Sequence, residues 1–120
     1  MPPLSPLSNA YGYPLLIKHL LTRSNIASAS QEIVSATEMR LSYADLGKRV
    51  RQLANSLKAS GIREGMRVGV MDWDTHRYLE CFFAVPMMGA TLFTINVRLS
   101  PAQVLYTINH GQPDLIIVHR

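Results

Sequence analysis

Apolar residues at Leu46, Val50, Leu53, Ala54 and Leu57 fall on one helical face, while Lys48, Arg51 and Lys58 take the opposite one. This predicts a long amphipathic helix. Ser42 is placed to cap its start, with Asp45 at the third helical position as the carboxylate partner of a capping box, and Gly61 to cap its end. Ahead of it, Glu32-Ile33-Val34 and Glu38-Met39-Arg40-Leu41 flank a short polar connection and predict two antiparallel strands.

Beyond Gly61 the pattern changes. Arg67-Val68-Gly69-Val70-Met71 reads as a buried strand, and Asp74 or Thr75 opens a second helix that is nearly all apolar after Glu80 and should be buried on most sides. Pro86 should kink that helix or end it near Met87. Thr91-Leu92-Phe93-Thr94-Ile95 is a further strand, Ser100-Pro101 a helix start, Gly111 with Pro113 its stop, and Leu115-Ile116-Ile117-Val118 a last strand. Strand, helix, strand, helix, strand at these intervals predicts an α/β fold, a layered parallel sheet with right-handed crossovers. A parallel sheet requires cover on both faces, and the three helices of this stretch leave one surface exposed. Ile116-Ile117-Val118 would be an aggregation hazard as an open edge.

Length allows one small domain or a piece of a larger one, since 120 residues bury a single core. The packing pattern favours the piece. Residues 1–12 form a proline-rich, flexible lead-in and 13–120 the ordered part, with a short helix expected from Pro14 to Leu21. Met1 to Gln31 has no acid and several serines, which is faintly like a transit peptide, yet Lys18 and Arg23 are its only Lys or Arg residues. No apolar run approaches the about 18 residues of a membrane helix.

The formal charge of +4 is concentrated between Leu41 and Met66, where five bases meet two acids. The second half of the chain is balanced. Lys48, Arg51 and Lys58 read as a solvated helix face and not as a nucleic-acid surface, because no aromatic residue interleaves with them. The lone Cys81 excludes an internal disulfide and reads as a buried structural thiol.

Candidate chemistry is sparse. Gly61, Gly65 and Gly69 follow a helix and lead into a strand, the reverse of a dinucleotide loop, so they serve as cap, turn and close-packing residues. Asp72, Asp74, His76 and Glu80 are the only carboxylate and imidazole cluster. A helix cap at Asp74, a His76–Glu80 surface pair and a solvent-facing Asp72 account for them better than a metal does. Trp73 and Tyr78 lie where strand ends border ligand crevices, although core or interface packing is the simpler role. Met87 and Met88 read as gap-filling core, and His19, His110 and His119 as dispersed surface or cap residues.

Leu41-Ser42-Tyr43-Ala44-Asp45-Leu46, Leu53-Ala54-Asn55-Ser56-Leu57, Gly61-Ile62, Gly65-Met66-Arg67-Val68 and Thr94-Ile95-Asn96 share an order and spacing with a known family. The chain resembles the amino-terminal part of acyl-CoA synthetases, the adenylate-forming acid:CoA ligases, from about Pro14 to Val118. Met71-Asp72-Trp73-Asp74-Thr75-His76-Arg77-Tyr78-Leu79-Glu80 is most similar to the branch acting on fatty acids and methylmercaptopropionate-like acids. Val97 departs from the pattern, which has proline between Asn96 and Arg98.

The resemblance implies ATP, magnesium and CoA for a complete enzyme, and a cytoplasmic or peroxisomal setting. It assigns no catalytic, cofactor-binding or metal residue to this chain. The Ser/Thr/Gly-rich loop ending in Lys-Gly has no counterpart, since the run from Ser24 to Ser30 lacks glycine. Three functions follow: an amino-terminal ligase segment that is structural and not catalytic alone, whose partner is the rest of the ligase; a truncated interaction protein pairing with a ligase subunit or as a dimer; or a small basic binding module.

Overall fold

The structure is a computed structural model that describes residues 9, 12–35 and 39–119. Most of the lead-in expected over 1–12, and Glu38 of the expected second strand, lie outside these residues. Chain order gives helix α1 (Lys18–Ala27), strands β1 (Glu32–Val34) and β2 (Arg40–Ser42), helix α2 (Tyr43–Ala59), strand β3 (Arg67–Met71) and helix α3 (His76–Met87). Strand β4 (Thr91–Thr94), helix α4 (Pro101–Gly111) and strand β5 (Leu115–Val118) complete it. The α/β reading holds.

β1 and β2 pair antiparallel, with Ile33 opposite Leu41, and an exposed Arg40–Glu32 ion pair of 2.7 Å lies across them. α2 starts as its sequence prescribes. Ser42 Oγ accepts the Asp45 N–H at 3.1 Å, and the Ser42 N–H donates to Asp45 Oδ2 at the same distance. These reciprocal bonds satisfy two donors that the helix start leaves open. The Ser42 hydroxyl, donating to Asp45 Oδ2 at 2.6 Å, and then the Ser42 N–H hold the Asp45 carboxyl below its ordinary range. At the other end Gly61 takes φ 96°, just past a C-cap at Ser60.

β4, β3 and β5 form a parallel sheet in that order, registering Val68 with Leu92 and Leu115. Because side chains alternate across a strand, Val68 and Val70 point to one face and Gly69 to the other. On the first face Val68 and Val70 bury against Leu57 of α2, Ile62 just after it, and Cys81 and Val85 of α3. On the second, Gly69 lets Ile116 and Pro113 close in, because a Cβ there would lie 3.3 Å from Ile116 Cγ1. α4 flanks this face, its last residue Gly111 lying directly against the Phe93 ring. Cover is uneven, as the helix count implied: α4 leaves Leu105 and Tyr106 exposed, and β4 and β5 are both edges.

Four local expectations are corrected. The first helix runs from Lys18 to Ala27 and not from Pro14 to Leu21. It absorbs Thr22 and Ser24 because their hydroxyls donate to the carbonyls of Lys18 and Leu20 one turn back. α3 does end at Met87, one residue after Pro86, but Phe82 and Met87 are exposed, so only one side of it is buried within the described residues. Met88 packs on the core while Met87 does not. Trp73, for which core or interface packing is the simpler expectation, is 60% exposed and so is not a core residue of the described chain.

Candidate functional site at the ends of the strands

β3 and β4 are neighbours whose following loops leave toward opposite faces, one into α3 and the other into α4. Such a divergence opens a crevice at the carboxyl ends of the strands, the usual ligand position in open α/β sheets. Here it measures about 310 Å³, lined by Asp72, Trp73 and Asp74 after β3, Tyr78 on α3, and residues 94–98 at the end of β4 and beyond it.

The loop after β3 is organised by Asp72. Its Oδ1 accepts the Trp73 N–H and its Oδ2 the Thr75 hydroxyl, both at 2.6 Å. Thr75 in turn accepts the Arg77 N–H at 3.2 Å and caps α3. Asp74 is therefore not the cap that sequence suggested. It takes φ 55°, a left-handed conformation that aspartate tolerates better than most residues. Asp72 is likewise half-buried and engaged in the turn, not turned to solvent.

Across the crevice, Asn96 Oδ1 accepts the Arg98 N–H at 2.9 Å, an Asx turn that needs no proline at Val97. Tyr78 stands between the two loops. Burial, then the Asp74 carboxylate, pushes its phenol above its ordinary range, against an opposing hydrogen bond with Thr94. The phenol therefore stays protonated at neutral pH. It is a hydrogen-bonding group and not a base.

The carboxylate and imidazole cluster does not assemble. Glu80 is 6% exposed and pairs with Arg49 of α2 at 2.6 Å, so the expected His76–Glu80 pair is replaced by a bridge between helices. His76 instead lines a second, more apolar cleft of about 500 Å³ with Ile33, Val34, Leu79 and His119, and its buried Nδ1 has no hydrogen-bond partner. Among the described residues no three His, Cys, Asp or Glu side chains are placed to hold a metal. Asp72 commits both oxygens to its turn and Glu80 is committed to Arg49, so these residues do not fit magnesium.

Cys81 is buried and its thiol is pushed up to about 11, chiefly by desolvation and then by Glu80. A thiol so placed is no nucleophile at neutral pH. Lys48, Arg51 and Lys58 are exposed along α2, as a solvated face should be. Sequence reasoning missed two long-range ties. One is Arg49–Glu80; the other is Arg67, whose N–H donates to Asp114 at 2.8 Å and whose guanidinium donates to the Gly111 carbonyl at 2.6 Å. Neither has a local signal, because the partners are 31 to 47 residues apart.

A parallel sheet wound this way, with a crevice at its switch point, defines an α/β ligand-binding architecture. The family model of AMP-binding enzymes matches residues 23–120, and the chain belongs to this family of adenylate-forming ligases. It is 37% identical over 101 residues to a long-chain-fatty-acid–CoA ligase of Thermus thermophilus, covering 81% of this chain and 19% of that protein. It is 33% identical over 107 residues to a 3-methylmercaptopropionyl-CoA ligase of Ruegeria lacuscaerulensis, covering 86% and 20%. The solved anthranilate CoA ligase AuaEII, in complex with anthranoyl-AMP, shares the fold with a TM-score of 0.81 at 24% identity, over 90% of this chain and 21% of that one. The chain thus spans about a fifth of the length of the curated relatives it matches.

Proposed function

We propose that this chain is the amino-terminal packing unit of an ATP-dependent acid:CoA ligase and contributes structure, not reacting groups. The carrying observation is that a fold covering nine-tenths of this chain occupies about a fifth of a ligase. The two open edges of the sheet and its half-covered second face agree with that, since further strands and helices would complete both.

In the complete reaction a carboxylate oxygen attacks the α-phosphate of ATP, diphosphate leaves, and the thiol of CoA then displaces AMP from the acyl-adenylate. Stabilising that charge requires a phosphate-cradling loop and cations. The crevice groups described above do not form such a cradle. Its role in this reading is to shape one wall of the domain, and the acid substrate, of fatty or related carboxylic type by similarity to the relatives, is selected elsewhere. A cytoplasmic location is part of the proposal.

The test is ATP-dependent CoA thioester formation across a panel of carboxylic acids, by the 120-residue chain and by the native polypeptide isolated with an antibody against residues 42–62. The expected result is a native species several times heavier than 13.4 kDa that turns over, and no turnover by the chain alone. Thioester formation by the isolated chain overturns the proposal.

A further inference from the structure

We draw no further inference here: the strongest candidate, the crevice at the carboxyl ends of β3 and β4 where Trp73, Tyr78 and Arg98 meet, belongs to the site already described, and nothing in the structure shows what covers it.

Discussion

The two faces of the parallel sheet are built to different standards. Against the face of Val68 and Val70, α2 and α3 pack their side chains on those of β3, β4 and β5 and are tied together by Arg49–Glu80. Against the face of Gly69, Phe93 and Ile116, α4 is tied at its carboxyl end by Gly111 on Phe93 and by Arg67 on the Gly111 carbonyl, while Val104, Thr107 and Ile108 along it are no more than half-buried. The difference teaches how far this chain covers its own sheet: side-chain burial is completed on one face, and close approach at two glycines substitutes for it on the other.

The largest effect that tests this contrast is expected from Leu46→Ala. Leu46 is wholly buried between α1, α2 and α3, and its truncation should cost about 3 kcal/mol in urea unfolding, whereas Leu105→Ala on α4 should stay within about 0.5 kcal/mol. Equal costs would erase the contrast. Gly111→Ala comes next, because a Cβ there overlaps the Phe93 ring. Overpacking of about 2 kcal/mol is expected, relieved by adding Phe93→Leu. A cost below about 0.5 kcal/mol would mean that α4 simply moves away, making the second face looser than described.

Arg49→Met removes the partner of a carboxylate that is 6% exposed, while Arg49 itself is partly in solvent. A loss of about 2 kcal/mol is expected, less than for a fully buried pair. Adding Glu80→Gln should recover part of it by removing the stranded charge. Recovery of nothing would show that packing by the arginine stem, and not charge, is what matters.

Cys81 supplies a finer probe of the well-packed face. Burial raises its thiol from 9.0 to about 11, so its stabilising contribution is complete below pH 9 and fades as pH rises toward 11. At pH 8 a thiol reagent should label it only as fast as the core opens, and Leu46→Ala should speed labelling. Labelling at the rate of a free thiol would place Cys81 outside the core.

Local chemistry was legible in the sequence wherever the cause is local. Ser42 with Asp45, Ser100-Pro101, Gly61 and the short apolar run of β3 each act within a few residues, and each element starts or stops where these residues say. The first helix was misplaced because Thr22 and Ser24, loop formers by composition, satisfy their hydroxyls on the helix itself. Around the crevice the sequence put Trp73 and Tyr78 at a strand end, which is where they lie. It paired Glu80 with the wrong residue, because a charge one turn away on the same helix is visible in sequence and Arg49 across a packed interface is not. The half-covered face was foreseeable from helix count alone; which face would be left so was not, because that depends on Gly69 and Gly111 letting the side chains of Ile116 and Phe93 lie against their backbone.

The smallest effect lies at the start of α2, where local and tertiary causes can be separated. The Asp45 carboxyl is held below its ordinary range first by the Ser42 hydroxyl, then by the Ser42 N–H, with Lys48 adding a lesser pull. A depressed carboxyl contributes stability above its unfolded pKa and loses that contribution as pH falls through its folded value. Asp45→Asn should therefore lower stability modestly at pH 7, by a margin that shrinks at low pH as the native carboxyl takes up its proton. Urea midpoints at neutral and low pH measure this directly. A difference that persists undiminished in acid would mean that the shape of the capping box, not the charge of Asp45, fixes the start of the helix on which the better-packed face is built.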